Sequence, residues 1–97
     1  MRREDLRQFE WDVANIDKSY RKHGITPNET EEVFLDEQIQ VVPDIQHSQA
    51  EPRHIALGKT VSGKLFLVVF TVRKKKVRVI SARPANRKER RVYEKKD

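Results

Sequence analysis

A single α+β domain over residues 1–97 is the fold this sequence predicts: an antiparallel sheet meander with two N-terminal helices and a basic C-terminal helix. Three observations predict it. Two sharply capped helical segments occupy the first third of the chain. From Ile39 the apolar residues switch to period two, the spacing of strands. One of those runs, Leu65–Arg73, is apolar on both sides, as a central strand covered on both faces must be.

The elements follow in order. Phe9-Glu10-Trp11 reads as a short strand with Phe9 and Trp11 on one face, both more suited to the core than to stacking on bases. Asp12 suits an N-cap, and a helix should run from about Val13 to His23, burying a stripe of Val13, Ile16 and Tyr20. Gly24 ends it, behind a last turn whose Lys22 and His23 suit the negative end of the helix dipole. Thr26-Pro27-Asn28-Glu29 opens a second helix: Thr26 as N-cap, Pro27 at the first helical position, Glu29 closing a capping box. That helix should end near Leu35, burying Val33 and either Phe34 or Leu35.

Strands are expected at Ile39–Val42, closed by Pro43, and at Arg53–Thr60 after a polar loop. A hairpin turn at Val61-Ser62-Gly63-Lys64 leads into the central strand Leu65–Arg73. A Lys74-Lys75 turn then feeds Lys76–Arg83. Pro84 fixes the next turn, because the residue before a proline is driven out of the helical region. Asn86 and Glu89 have capping-box spacing and start the last helix. Two helices cover only one face of the central strand, so the other needs the C-terminal helix or a partner chain.

Composition bounds the function. Ninety-seven residues support one modest core. No cysteine is present, which removes disulfides, thiolate metal sites and thiol nucleophiles. The N-terminal M-R-R-E-D-L-R has no apolar signal region, and no apolar run approaches a membrane span, so a cytoplasmic protein is expected. Histidines at 23, 47 and 54 do not have zinc spacing, and neither a metal nor a cofactor is implied.

The net charge of +6 is unevenly spread. Residues 28–51 carry seven acids and no Lys or Arg, whereas residues 73–97 carry twelve Lys or Arg against three acids. Such a dipole steers a polyanion to one face, and it equally suits a protein with its own charged patches. A strand delivering arginines to a sheet end, beside a cationic helix, is a phosphate-handling arrangement, and RNA is a leading candidate partner.

Several blocks resemble the BrnT family, the toxin half of bacterial type II toxin–antitoxin pairs. They are Phe9-Glu10-Trp11-Asp12, Lys22-His23-Gly24, Val33-Phe34-Leu35-Asp36, and Arg53 and Gly58 bracketing a strand. The last and most specific comprises Arg78, Ile80, Ser81, Ala82, Arg83, Ala85, Glu89, Arg90 and Tyr93. The chain departs from the family pattern at Asn15 and Ser19, where lysine and asparagine are usual, and at His54 and Pro84. The resemblance implies a RelE-like fold and a metal-independent endoribonuclease toxin that inhibits translation. It also implies a BrnA-like antitoxin of ribbon-helix-helix type, through which alone operator DNA would be bound.

RNA cleavage without metal requires a deprotonated 2′-hydroxyl, a stabilised phosphorane and a protonated leaving oxygen. Arg53, Arg78 and Arg83 are candidates for the phosphorane, since a guanidinium fork matches phosphate oxygens. The alternative for each is a solvated charge or a salt bridge. Strict alternation sends Arg78 and Arg83 to opposite faces unless the strand twists or bulges near Ser81. Lys22 and His23 are candidates for proton transfer or phosphate contact, or else simply terminate a helix. Arg87, Lys88, Arg90 and Arg91 form either an RNA-backbone clamp, a dock for an acidic antitoxin segment, or a solubilising surface. Tyr93 either docks that helix or stacks on a base. Two other readings remain: a non-catalytic RNA- or DNA-binding module, and an inactive toxin homologue serving only as an antitoxin partner.

Overall fold

The computed structural model describes residues 6–47 and 50–95. Its elements are β1 (Phe9–Glu10), α1 (Val13–His23), α2 (Pro27–Val33), β2 (Gln40–Pro43), β3 (His54–Lys59), β4 (Leu65–Arg73), β5 (Lys76–Pro84) and α3 (Arg87–Glu94). The expected caps set the helix limits. Asp12 accepts from the Ala14 amide at 2.8 Å, and Gly24 ends α1 in the left-handed region at φ 69°. Complete capping boxes open α2 at Thr26/Glu29 and α3 at Asn86/Glu89.

The sheet order is β1-β5-β4-β3-β2. β2 through β5 form the expected antiparallel meander, but β1 joins the far edge parallel to β5, with Phe9 opposite Val77 and Glu10 opposite Arg78. The sheet is therefore mixed. α1 and α2 carry the chain from β1 across to β2 at the opposite edge, so β1 is free to run alongside β5. α1 and α2 belong to one side of the sheet, and α3 covers the other, where Tyr93 packs on Leu57 and Leu65.

The main core lies on the α1/α2 side. Val33 and Phe34 meet Ala56, Phe66, Val68, Phe70, Val77 and Val79 there. Phe34 stands edge-on between Phe9 and Phe70, with ring centroids 5.3 and 5.1 Å apart. Phe9 and Trp11 pack against this core, and the Trp11 indole donates to Glu31 at 2.8 Å, tying the β1 end to α2. Of the two residues left open at the end of α2, Phe34 is buried and Leu35 exposed.

The expected stripe on α1 is corrected. Val13 and Tyr20 are 79% and 59% exposed, while Ser19 is buried and Asn15 donates to the Val79 carbonyl at 3.2 Å. Past its two residues of pairing with β1, β5 presents a bare edge, and a buried edge carbonyl needs a donor more than another methyl. The departures at Asn15 and Ser19 are thus contacts between α1 and the sheet.

Between β4 and β5 the register slips by one: Phe70 faces Val79 and Val69 faces Ser81, leaving Ile80 as an extra residue. The slip decides where the arginines point. Arg78 pairs with Thr71 and Arg83 with Leu67, so both lie on the α3 side of the sheet.

Candidate active site

The C-terminal end of α1 meets the second half of β5 at a cleft of about 180 Å³, lined by Lys18, Ser19, Lys22, His23, Ser81, Ala82 and Arg83. Each wall has a local cause. The Gly24 cap stops α1 so that its last turn, Arg21-Lys22-His23, overhangs the β5 edge. Asn15 and Ser19 fix the helix against that edge. The bulge at Ile80 turns Ser81 and Arg83 to the α3 side, and Pro84 ends the strand.

Arg83 is held by a carboxylate from α3. Its two terminal nitrogens donate to Glu89 at 2.8 and 2.6 Å, and one also reaches the Pro84 carbonyl at 3.2 Å. These hydrogen bonds hold the Glu89 carboxyl below the usual carboxylate range and raise the guanidinium's own value. Glu89 also receives the Asn86 amide at 2.9 Å, so the capping residue of α3 and the partner of Arg83 are one side chain. Lys18, Lys22 and His23 have no acidic partner among the described residues. Against one carboxylate, the cleft therefore presents Arg83, two lysines and a histidine.

Of the five residues singled out as catalytic, Lys22, His23 and Arg83 come together here; Arg53 and Arg78 do not. Five residues of strand separate Arg78 from Arg83, roughly 15 Å. Arg78 donates to Glu10 at 2.6 Å and to Asp12 at 3.4 Å. Arg53 lines a different hollow, with Gln46, His47, Ala50 and Glu51. Arg73 binds Glu51 through two nitrogens at 2.8 and 2.9 Å. Those bonds, aided by the nearby charges of Arg53 and Arg78, lower the Glu51 carboxyl. That end of the sheet thus sets Arg53, Arg73 and Arg78 against Glu10, Asp12 and Glu51 in a balanced cluster. The expected convergence of three guanidinium groups on one pocket does not occur: the strand end offers Arg83 alone, and a helix end supplies its cationic company.

Lys18 is the cleft residue that sequence reasoning missed. Its signal was the i, i+4 spacing to Lys22, which puts both on one face of α1. His54 instead faces the main core, its ring 5.4 Å from that of Phe70. His47 is exposed and bonded to Asp44 at 3.0 Å. On α3, Arg87, Lys88, Arg90 and Arg91 are all exposed, while Tyr93 is buried and docks the helix. No described helix is long and apolar enough to cross a membrane.

Comparison with known families identifies the class as ribonuclease toxins of type II toxin–antitoxin systems, whose BrnT sequence profile matches residues 11–89. The chain belongs to the BrnT family. Its fold is similar to the crystal structure of the ribonuclease toxin BrnT from Brucella abortus, with a TM-score of 0.64 and 26% identity over 82% of this chain and 97% of that one. No curated relative matches the chain.

Proposed function

We propose that this chain is a metal-independent endoribonuclease that cleaves RNA at the α1–β5 cleft. The observation that carries the reading is the surplus of positive charge around Arg83 in a concave site open to solvent. In this scheme the ribose 2′-oxygen attacks the adjacent phosphorus as its proton is removed. The P–O5′ bond breaks, a 2′,3′-cyclic phosphate forms and the leaving 5′-oxygen takes up a proton. His23 moves the proton, since an imidazole can both accept and donate one through its two ring nitrogens. Arg83, Lys22 and Lys18 face the charge that builds on the phosphorane. Arg87, Lys88, Arg90 and Arg91 hold the backbone on either side.

The sheet with helical cover and a basic terminal helix is read as a RelE-like arrangement. Cleavage would inhibit translation. A BrnA-like protein antitoxin of ribbon-helix-helix type would neutralise it and alone contact operator DNA.

One observation favours a second reading, a nucleic-acid-binding homologue without catalysis: the guanidinium fork of Arg83 is already filled by Glu89. A single experiment separates the two. Purified protein incubated with RNA in excess EDTA should release fragments ending in 2′,3′-cyclic phosphate. Intact RNA that is retarded in a gel, with affinity falling steeply as salt rises, is the result expected of the second reading and would overturn the first.

A further inference from the structure

The α3 side of the sheet is only partly roofed. Tyr93 closes Leu57 and Leu65, but beside it a groove of about 330 Å³ stays open between α3 and the strands. Val42, Ile55 and Leu67 form its floor, and Val92 and Lys88 stand on its helical wall. Val42 and Val92 are each 53% exposed, and Ile55 and Leu67 are half-buried. A continuous apolar strip left in water on so small a protein marks an interaction surface.

The chemistry of the wall says what kind of partner fits. Along α3 the exposed charges Arg87, Lys88, Arg90 and Arg91 have no acidic partner among the described residues. The acid that lines the groove, Glu89, is taken up by Arg83 and the Asn86 cap. Of the cations, Lys88 alone lines the groove, with Arg87 and Arg91 exposed on the same helix. An apolar floor beside that cation is complementary to an amphipathic peptide segment, apolar along one side and acidic along its flank. RNA would satisfy the wall but would leave the valine, isoleucine and leucine side chains unsatisfied.

We propose that this groove receives an acidic amphipathic segment of the protein antitoxin. The proposal rests on membership of a toxin–antitoxin family and not on the chemistry of the cleft. Its position is apt for neutralisation, because Glu89 lines the groove with one side of α3 and grips Arg83 of the cleft with its carboxylate.

The test measures affinity for the antitoxin of the chain's own operon by calorimetry, using full-length proteins. Val42→Glu with Val92→Glu should weaken binding at least tenfold while keeping a cooperative thermal melt. Val13→Glu, on exposed α1 surface, should leave it unchanged. Val92→Lys should weaken binding less than Val92→Glu, since only the latter repels an acidic flank. Parent-like affinity in the folded double variant overturns the proposal, as does an equal effect of Lys and Glu at position 92. A double variant that loses only self-association, or only RNA affinity, also overturns it. If the parent fails to cleave RNA, the cleft assignment falls, and the binding measurement still decides the groove.

Discussion

The Tyr93 hydroxyl donates to Asp36 Oδ2 at 2.5 Å, joining the last helix to the turn that follows the second. The same oxygen receives the Lys59 amide at 2.8 Å, at the point where β3 has run past its pairing with β2. One carboxylate thus caps a sheet edge and anchors α3 across it, while the Lys59 ammonium sits 5.5 Å above the Tyr93 ring. Burial and the hydrogen bond to Asp36 push the phenol up from 10.0 to about 12.

Tyr93→Phe should therefore cost about 1.5–3 kcal/mol of stability, the range for a hydrogen bond to a charged acceptor. The sign of the pH dependence is fixed. The native state keeps the phenol proton after the unfolded chain has lost it, so this contribution is whole below pH 10 and declines toward about 12. Chemical denaturation of both proteins across that range should show the gap closing at high pH; a constant gap would remove the phenol as its cause.

Arg83→Ala should lower RNA cleavage about 100- to 1,000-fold, the usual effect of removing one donor to transition-state charge. Glu89→Gln should leave cleavage in place, because an amide still closes the capping box and frees the guanidinium for phosphate. The Glu89 carboxyl is depressed by Arg83, so it stabilises the native state above the ordinary glutamate range and ceases to do so as pH falls through its folded value. Acid denaturation of Glu89→Gln should accordingly be shallower than that of the parent.

His23→Gln separates proton transfer from helix termination. A proton-transfer role predicts a fall in kcat of about 100-fold or more, with little change in melting temperature. Loss of stability with unchanged cleavage would reduce His23 to the end of α1.

Gly58→Ala should destabilise the fold by about 1–3 kcal/mol. A methyl group there would come within 3.0 Å of both Val33 Cγ1 and the Val33 carbonyl, and 3.4 Å from Asp36. The backbone carbonyl cannot rotate away, so α2 must lift from β3. Thermal melts measure this directly, and an unchanged midpoint would show that α2 has slack at this crossing.

The chain's punctuation was the most legible part of the fold. Asp12, Gly24, Thr26 with Glu29, and Asn86 with Glu89 act within a few residues of themselves, so local chemistry set the helix ends. The features that depended on distant partners were not legible. The side on which α1 docks was set by a bare carbonyl on β5, which no periodicity within α1 reports. The parallel pairing of β1 rests on two residues, too few to carry a directional signal. For the cleft, Lys22, His23 and Arg83 came from motif and capping, whereas Lys18 needed a helix face and a neighbouring strand together. Arg53 and Arg78 were chosen for their chemistry, and their neutralisation by Glu51, Glu10 and Asp12 arises between segments far apart in the sequence.

Ile80 sets the parity of everything downstream of it. Were Ile80 drawn into the ladder opposite Val69, every later residue would shift by one and Arg83 would fall opposite Phe66. The last arginine of β5 would then emerge among the phenylalanines of the main core, and the terminal helix would leave on a side already filled by Val33 and Phe34. Flattening one bulge would thus invert the molecule's distribution of charge while altering no ionisable group.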